Sequence, residues 1–157
     1  MEKYFLQQVD KLIADMKGGV PGSQSKDYRY YATGGREWTD GFWGGMLNLS
    51  YQYSGNDHYK AEALKQVDIL YDRIVNKKAV DHHDMGFLYS PSCLAAYDLY
   101  RSEKALEAAV LAAENLISRF RERGELIQAW GNMDDNPQNY RLIIDCLLNL
   151  PLLYRVS

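Results

Sequence analysis

The most informative single residue of this 157-residue chain is Asp145, the one charged side chain in the run from Leu142 to Asn149. Burying an isolated carboxylate as an ion costs on the order of several kcal/mol, so a buried carboxyl group tends to keep its proton and can donate it. Asn149 follows one helical turn later and could orient the carboxyl group. The alternative interpretation is structural, with Asp145 capping a helix or satisfied by backbone amides. The run alone does not separate the two.

A second cluster is the string from Asp81 to Asp84, which contains His82 and His83. A metal site is disfavoured, because adjacent histidines on regular backbone point apart and no third ligand follows at i,i+4 spacing. One interpretation makes Asp84 a catalytic carboxylate with His83 as its hydrogen-bonding neighbour. The other is a polar turn that caps a helix, and the string alone favours the turn.

Aromatic residues near these strings could stack on sugar rings. Core packing is favoured for Phe42 and Trp43, beside the glycine pair that follows them. Trp38 precedes a helix cap and is free to face a pocket. Trp130 is a similar loop residue, with Gln128 as its hydrogen-bonding partner.

Apolar spacing and capping residues predict six helices that position these groups. They cover about residues 2–17, 39–53, 57–77, from between Gly86 and Pro91 to near Tyr100, from Ser102 to Gly124, and 143–155. No segment alternates with period two, so no sheet is predicted. The fold class is therefore all-α, an array of αα-hairpins within a single domain over residues 1–157. A Gly-Phe pair at 41–42 recurs at 86–87 as a weak internal repeat.

The order of the helices has a consequence for the site. In an up-down array, the second, fourth and sixth helices point the same way, and their N-terminal ends share one side of the molecule. Trp38, His83, Asp84 and Asp145 lie at those ends. They are predicted to line one pocket, where the partial positive charge of helix N-termini favours an anionic ligand.

Composition excludes several classes of function. The net charge is -3 and no Lys/Arg cluster is present, so nucleic acid is not an expected partner. No apolar run approaches membrane-spanning length, and the N-terminus does not read as a secretory leader. The two cysteines lie far apart, which predicts reduced, buried thiols in a cytoplasmic protein. Phosphate-binding glycine loops, G-x-S-x-G and H-E-x-x-H are absent from the sequence.

Four strings in a fixed order make the chain resemble the unsaturated glucuronyl hydrolases, glycoside hydrolase family 88. They cover residues 37–43, 81–89, 127–130 and 143–153. The resemblance implies an (α/α)6 barrel, of which this chain corresponds to about half, or three hairpins at the N-terminal end. It also implies cleavage of a terminal unsaturated uronyl group from oligosaccharides made by polysaccharide lyases. No metal or organic cofactor is implied.

The resemblance also assigns roles to single residues. Asp145 would protonate C4 of the C4=C5 vinyl ether and activate water for attack at C5, and Asp84 would assist at the double bond. The substrate-binding residues would be Trp38, His83, Gln128, Trp130 and Asn149.

Several hypotheses stay open at this stage. Family members are more than twice this length, so the chain is expected to be a truncated member with an open barrel edge. Such apolar edges drive association, and two copies are expected to cover each other. The alternatives to an active glucuronyl hydrolase are a related hydrolase of unsaturated galacturonyl-rhamnose, a module that binds an acidic sugar without turnover, and an inactive fragment.

Overall fold

Seven helices carry most of the chain in a computed structural model that describes residues 2–134 and 136–157. They are α1 (Glu2–Met16), α2 (Asp40–Ser54), α3 (Asp57–Val75), α4 (Met85–Tyr89), α5 (Ala95–Tyr100), α6 (Glu103–Ile117) and α7 (Cys146–Val156). A π-helical turn, Ser90–Leu94, joins α4 to α5, and a 3-10 turn, Pro137–Asn139, precedes α7. Two antiparallel strand pairs complete the architecture: β1 (Val20–Pro21) with β2 (Ala32–Thr33), and β3 (Phe120–Arg121) with β4 (Leu126–Ile127).

Local capping explains where several helices begin and end. The Asn56 side chain accepts a hydrogen bond from the His58 N–H at the start of α3, and Ser102 accepts one from Ala105 at the start of α6. Gly55 ends α2 in the left-handed conformation, with φ of 65°, which glycine adopts without a steric penalty. These predicted caps are confirmed.

Two predicted helix boundaries and the predicted absence of a sheet are wrong for identifiable reasons. The fifth predicted helix ends at Ile117 and not at Gly124, because the chain turns there into the β3–β4 pair. The absence of a sheet was also predicted wrongly, since two-residue strands are too short to show an alternating pattern. The fourth predicted helix begins at Met85 and contains the π-helical turn at Pro91, whose ring nitrogen has no hydrogen to donate to the helical ladder.

The core consists of two apolar clusters. One joins α3, α4, α6 and α7 through residues such as Leu70, Leu88, Leu116 and Leu152. Small side chains on α6 let its neighbours approach closely; these are Ala105, Ala108, Ala109, Ala112 and Ala113. The other cluster packs α1 against α2 around Val9, Trp43 and Leu47. Both cysteines are free and buried, as predicted. Within residues 2–134 and 136–157, no helix has the length and apolar character needed to cross a membrane.

Candidate active site

The N-terminal ends of α4 and α7 meet, and this contact creates the site. A Cβ atom built on Gly86 would lie 2.3 Å from the Cα of Asn149, so only glycine permits the observed approach. Asn149 is fully buried between the two helices; its Oδ1 accepts the Phe87 N–H at 3.1 Å and its Nδ2 donates to the Asp145 carbonyl at 3.2 Å. The predicted convergence of these two helix ends is therefore confirmed.

His83 lies between the two candidate catalytic carboxylates. Its Nε2 is 3.3 Å from Asp84 Oδ1 and 3.5 Å from Asp145 Oδ1. The His83 backbone N–H donates to the Ala129 carbonyl at 2.8 Å, which fixes the position of the residue. Burial lowers the pKa of His83, against the opposing attraction of Asp84 and Asp145, so the imidazole is neutral at neutral pH.

Asp145 is more exposed than its apolar surroundings in the sequence predict. Its side chain is 34% exposed, and the residue occupies the position before the first turn of α7 without a side-chain capping bond. The expectation of a buried carboxylate is wrong, because the chain around the start of α7 leaves Ile144 and Leu147 facing outward, at 88% and 66% exposure. One carboxylate oxygen, Oδ1, is nevertheless buried and has no hydrogen-bond partner among the described residues. Asp145 thus has one oxygen facing His83 and a carboxylate that a ligand can reach.

Asp84 has a histidine on each side. The Oδ1 atom faces His83, while Oδ2 lies 3.0 Å from His82 Nδ1. The Asp84 backbone N–H also donates to His82 Nδ1 at 3.2 Å. The two adjacent histidines, which were expected from sequence to point apart, both reach the same carboxylate.

A buried ion pair joins α2, α3 and the loop before α4. Arg73 Nη1 donates to Asp40 Oδ2 at 2.7 Å, and both side chains are almost fully enclosed. Burial raises the pKa of Asp40 to about 6, although Arg73 opposes this shift, so the pair is ionised at neutral pH. Arg73 Nη2 donates to the Ala79 carbonyl at 2.8 Å. Sequence reasoning missed this pair, because its two residues lie 33 positions apart and no local pattern links them.

Gln128 lies in the interior and does not face the pocket. It is fully buried; its Oε1 accepts from Arg121 Nε at 2.8 Å, and its Nε2 lies 2.9 Å from the carbonyl oxygens of Trp130, Gly131 and Asn132. With both ends of the amide engaged, the predicted direct contact with substrate does not fit this position. Gln128 instead holds the loop that presents Trp130, whose side chain is 45% exposed.

An aromatic patch flanks the carboxylates on the α2 side. Trp38 and Phe42 each lie near Phe87, with both ring-centroid distances at 5.7 Å. Trp38 and Phe42 are about half exposed, so core packing was the wrong prediction for Phe42, whereas Trp43 is buried as predicted. The start of α2 therefore lies beside α4, as the hairpin order predicts.

The same groups could also hold a cation. One donor atom each from His83, Asp84 and Asp145 lies within 4.8 Å of the others. Such a nitrogen and oxygen set suits several divalent metals. The sequence rule that argued against a metal did not foresee the third donor, because Asp145 comes from a distant helix. The shared position of His83 between two carboxylates equally suits proton transfer.

Comparison with known proteins identifies close relatives. No protein-family model matches the chain. An unsaturated chondroitin disaccharide hydrolase of Streptococcus pyogenes is 43% identical over 152 residues, which is 97% of this chain and 38% of that protein. An unsaturated glucuronyl hydrolase of Bacillus sp. GL1 is 43% identical over 125 residues, covering 80% of this chain and 33% of the relative.

Solved structures agree with the sequence comparison. The crystal structure of the unsaturated glucuronyl hydrolase of Bacillus sp. GL1 superposes with a TM-score of 0.89 at 36% identity, over 98% of this chain and 42% of that one. The Streptococcus agalactiae enzyme gives 0.86 at 39% identity, over 99% and 41%. The chain therefore spans about two fifths of the length of these relatives, and its helices match that part of their all-α fold.

Proposed function

Because this chain belongs to the unsaturated glucuronyl hydrolases, we propose that it acts in removing a terminal unsaturated uronic acid from oligosaccharides released by polysaccharide lyases. The single observation that carries this proposal is the cluster of Asp84, His83 and Asp145, with donor atoms within 4.8 Å of one another. Inverting glycosidases need about 6.5–9.5 Å between their carboxyl groups to admit a water. The shorter separation argues against inverting displacement at C1, and family membership supports hydration over a retaining displacement.

The proposed reaction is hydration of the C4=C5 vinyl ether. Asp145 donates a proton to C4, and the positive charge that develops at C5 is shared with the ring oxygen. Water adds to C5 and returns one proton to Asp145. The resulting hemiketal opens to a ketone at C5, the ring oxygen becomes a hydroxyl group of a hemiacetal at C1, and that hemiacetal collapses to an aldehyde with release of the aglycone as an alcohol.

The residues around Asp145 support this sequence of proton transfers. One carboxylate oxygen of Asp145 is buried beside His83, while the side chain as a whole is partly exposed. A substrate can therefore reach the carboxylate. His83, neutral at neutral pH, lies between the two carboxylates and can accept a proton from one and pass it to the other. Asp84 faces the same space and is positioned to stabilise the charge developing at C5.

The substrate would bind between two exposed aromatic surfaces. Trp38 and Phe87 lie on the α2 and α4 side, and Trp130 is presented by the loop that Gln128 supports. Aromatic faces of this kind stack on sugar rings. A structure of the Streptococcus agalactiae relative is complexed with dGlcA-GalNAc6S, and a further relative holds dGlcA-Glc-Rha-Glc. An unsaturated uronyl disaccharide is accordingly the substrate to test first.

The test follows the ultraviolet absorbance of the conjugated double bond in an unsaturated glucuronyl disaccharide. We expect turnover by the purified chain, and loss of turnover in Asp145→Asn and Asp84→Asn. Asp68→Asn is the matched control, because it makes the same chemical change on the exposed face of α3. Insensitivity to a chelator separates proton transfer from a metal mechanism. Saturable binding without loss of absorbance would contradict the proposed activity and support a sugar-binding role.

Self-association through an apolar face is part of the same proposal. A groove of about 760 Å³ lies between the end of α6, the β3–β4 pair and α7. Its exposed residues include Ile117, Phe120, Leu142, Ile144 and Leu147. Exposed apolar patches of this kind mark association sites, and two copies can pair the same face by a two-fold axis. Light scattering should show a concentration-dependent dimer that Leu147→Glu dissociates; a monomer at high concentration would contradict this.

The cellular location is also proposed. Two free, buried thiols support a reducing, cytoplasmic compartment. Fractionation of the native host should recover the chain with cytoplasmic markers.

A further inference from the structure

Both ring nitrogens of His82 lie within hydrogen-bonding distance of oxygen atoms. Nε2 lies 2.9 Å from the Ala79 carbonyl, which only accepts hydrogen bonds, so Nε2 carries a proton. Nδ1 lies 3.0 Å from Asp84 Oδ2. The Asp84 backbone N–H also reaches Nδ1, at 3.2 Å, so the ring contacts both the carboxylate and the backbone of Asp84. His82 and Asp84 are therefore joined through the catalytic carboxylate itself.

The ring is anchored from the side away from Asp84. The Ala79 carbonyl that accepts from His82 also accepts from Arg73 Nη2 at 2.8 Å. Arg73 is in turn held by Asp40 Oδ2 and by the Glu37 carbonyl, at 2.7 and 2.9 Å. The backbone of His82 pairs with that of Trp130. The buried ion pair thus fixes the orientation of the imidazole, and the imidazole fixes the carboxylate.

We propose that His82 is a positioning residue that holds Oδ2 of Asp84, and so directs Oδ1 of Asp84 toward His83 and the reacting carbon atoms. The sequence and the family resemblance singled out His83 and assigned nothing to His82. The inference rests on the proposed function for its kinetic consequence, but the contact between Nδ1 and Oδ2 can be tested without turnover.

Two substitutions separate the two contacts of the ring. The side-chain amide of asparagine occupies about the place of Nδ1, so His82→Asn keeps a polar group in contact with Asp84 and loses the bond to Ala79. The amide nitrogen of glutamine reaches about as far as Nε2, so His82→Gln keeps the bond to Ala79 and loses Asp84. His58→Gln, at the exposed start of α3, is the matched control.

The kinetic arm compares kcat and KM for the unsaturated disaccharide. Misplacing a catalytic group by about 1 Å costs roughly 100-fold, so kcat of His82→Gln should fall about 10- to 100-fold with KM nearly unchanged. His82→Asn should stay within about 3-fold of the parent, as His58→Gln should. A kcat that falls in His82→Asn but stays at the parent level in His82→Gln would show that the contact with Ala79 matters and the contact with Asp84 does not, which overturns the inference.

The second arm uses carbon-13 labelled aspartate and needs no activity. The carboxyl resonance of Asp84, assigned by its disappearance in Asp84→Asn, should move in His82→Gln and stay near the parent position in His82→Asn at the same pH. If the parent chain shows no turnover, the proposed function fails while this arm still decides the contact. An unmoved Asp84 resonance in a folded His82→Gln would overturn the inference.

Discussion

Replacing Gly86 by alanine tests whether the contact between α4 and α7 builds the site. The added Cβ would lie 2.3 Å from the Asn149 Cα and 2.8 Å from both its carbonyl oxygen and Oδ1. Carbon atoms in contact prefer about 3.5–4.0 Å, so the two backbones must separate by roughly 1.2 Å or more. No side-chain rotation relieves this clash, because two of the three nearest atoms belong to the backbone.

The consequences for stability and activity can be estimated separately. Overpacking of a tight contact costs about 1–3 kcal/mol, and each kcal/mol lowers Tm by roughly 2–4 °C in a chain of this size. Because Asp145 directly precedes α7 and Asp84 directly precedes α4, the same displacement lengthens the 3.5 Å contact between His83 and Asp145. A misplacement of about 1 Å lowers turnover by roughly 100-fold.

The assay combines a thermal melt with disappearance of the double-bond absorbance. Gly34→Ala is the control, because a Cβ on Gly34 meets no atom within 4 Å and its backbone lies outside the left-handed region. Gly86→Ala should melt lower than Gly34→Ala and lose most of its turnover. If the two variants melt together and turn over alike, the close contact at Gly86 does not hold the site, and the geometric reasoning fails.

Three further predictions follow from buried groups. Asp40→Asn leaves the Arg73 guanidinium buried without its counter-charge, so it should lower the unfolding free energy by about 3–5 kcal/mol in a denaturant titration; a change below about 1 kcal/mol would refute this. Because burial lowers the pKa of His83, the unfolded chain binds this proton more readily, and stability should fall as pH drops below about 6.5, by up to roughly 1.4 kcal/mol per pH unit. Asp40, whose pKa is raised to about 6, changes stability with pH in the opposite direction. Subtracting the stability-versus-pH curve of His83→Gln from that of the parent removes the contribution of Asp40 and leaves that of His83. Parallel curves for the two proteins would contradict the prediction. Burial raises the pKa of the Cys93 thiol to about 12, so iodoacetamide should alkylate Cys93 only after unfolding, and mass spectrometry of the labelled native chain would reveal any earlier reaction.

Much of the secondary structure could be predicted because it is encoded locally. The apolar stripe of α1 and the caps Asn56 and Ser102 depend on neighbours within one or two turns. The strand pairs and the π-helical turn escaped prediction. A two-residue strand depends on its partner across a turn, and the widened turn at Pro91 depends on how the helix accommodates a missing donor.

The site residues likewise divide into those that local sequence identified and those whose placement depends on distant contacts. Asp84, His83 and Asp145 were singled out by residue type and by resemblance, and hairpin order alone predicted that their helix ends converge. Which side chains reach the pocket could not be read from the sequence, since Gln128 turned out to be enclosed and Phe42 exposed.

The sequence by itself determined the helices, their order and the polar residues at their ends, because spacing and capping act over a few residues. Only the tertiary structure decided the two contacts on which the chemistry depends. Gly86 against Asn149 brings Asp145 to His83, and the buried Arg73 and Asp40 pair anchors His82 against Asp84. These contacts join residues more than thirty positions apart. Their geometry is set by close packing and by the cost of leaving a buried charge unpaired.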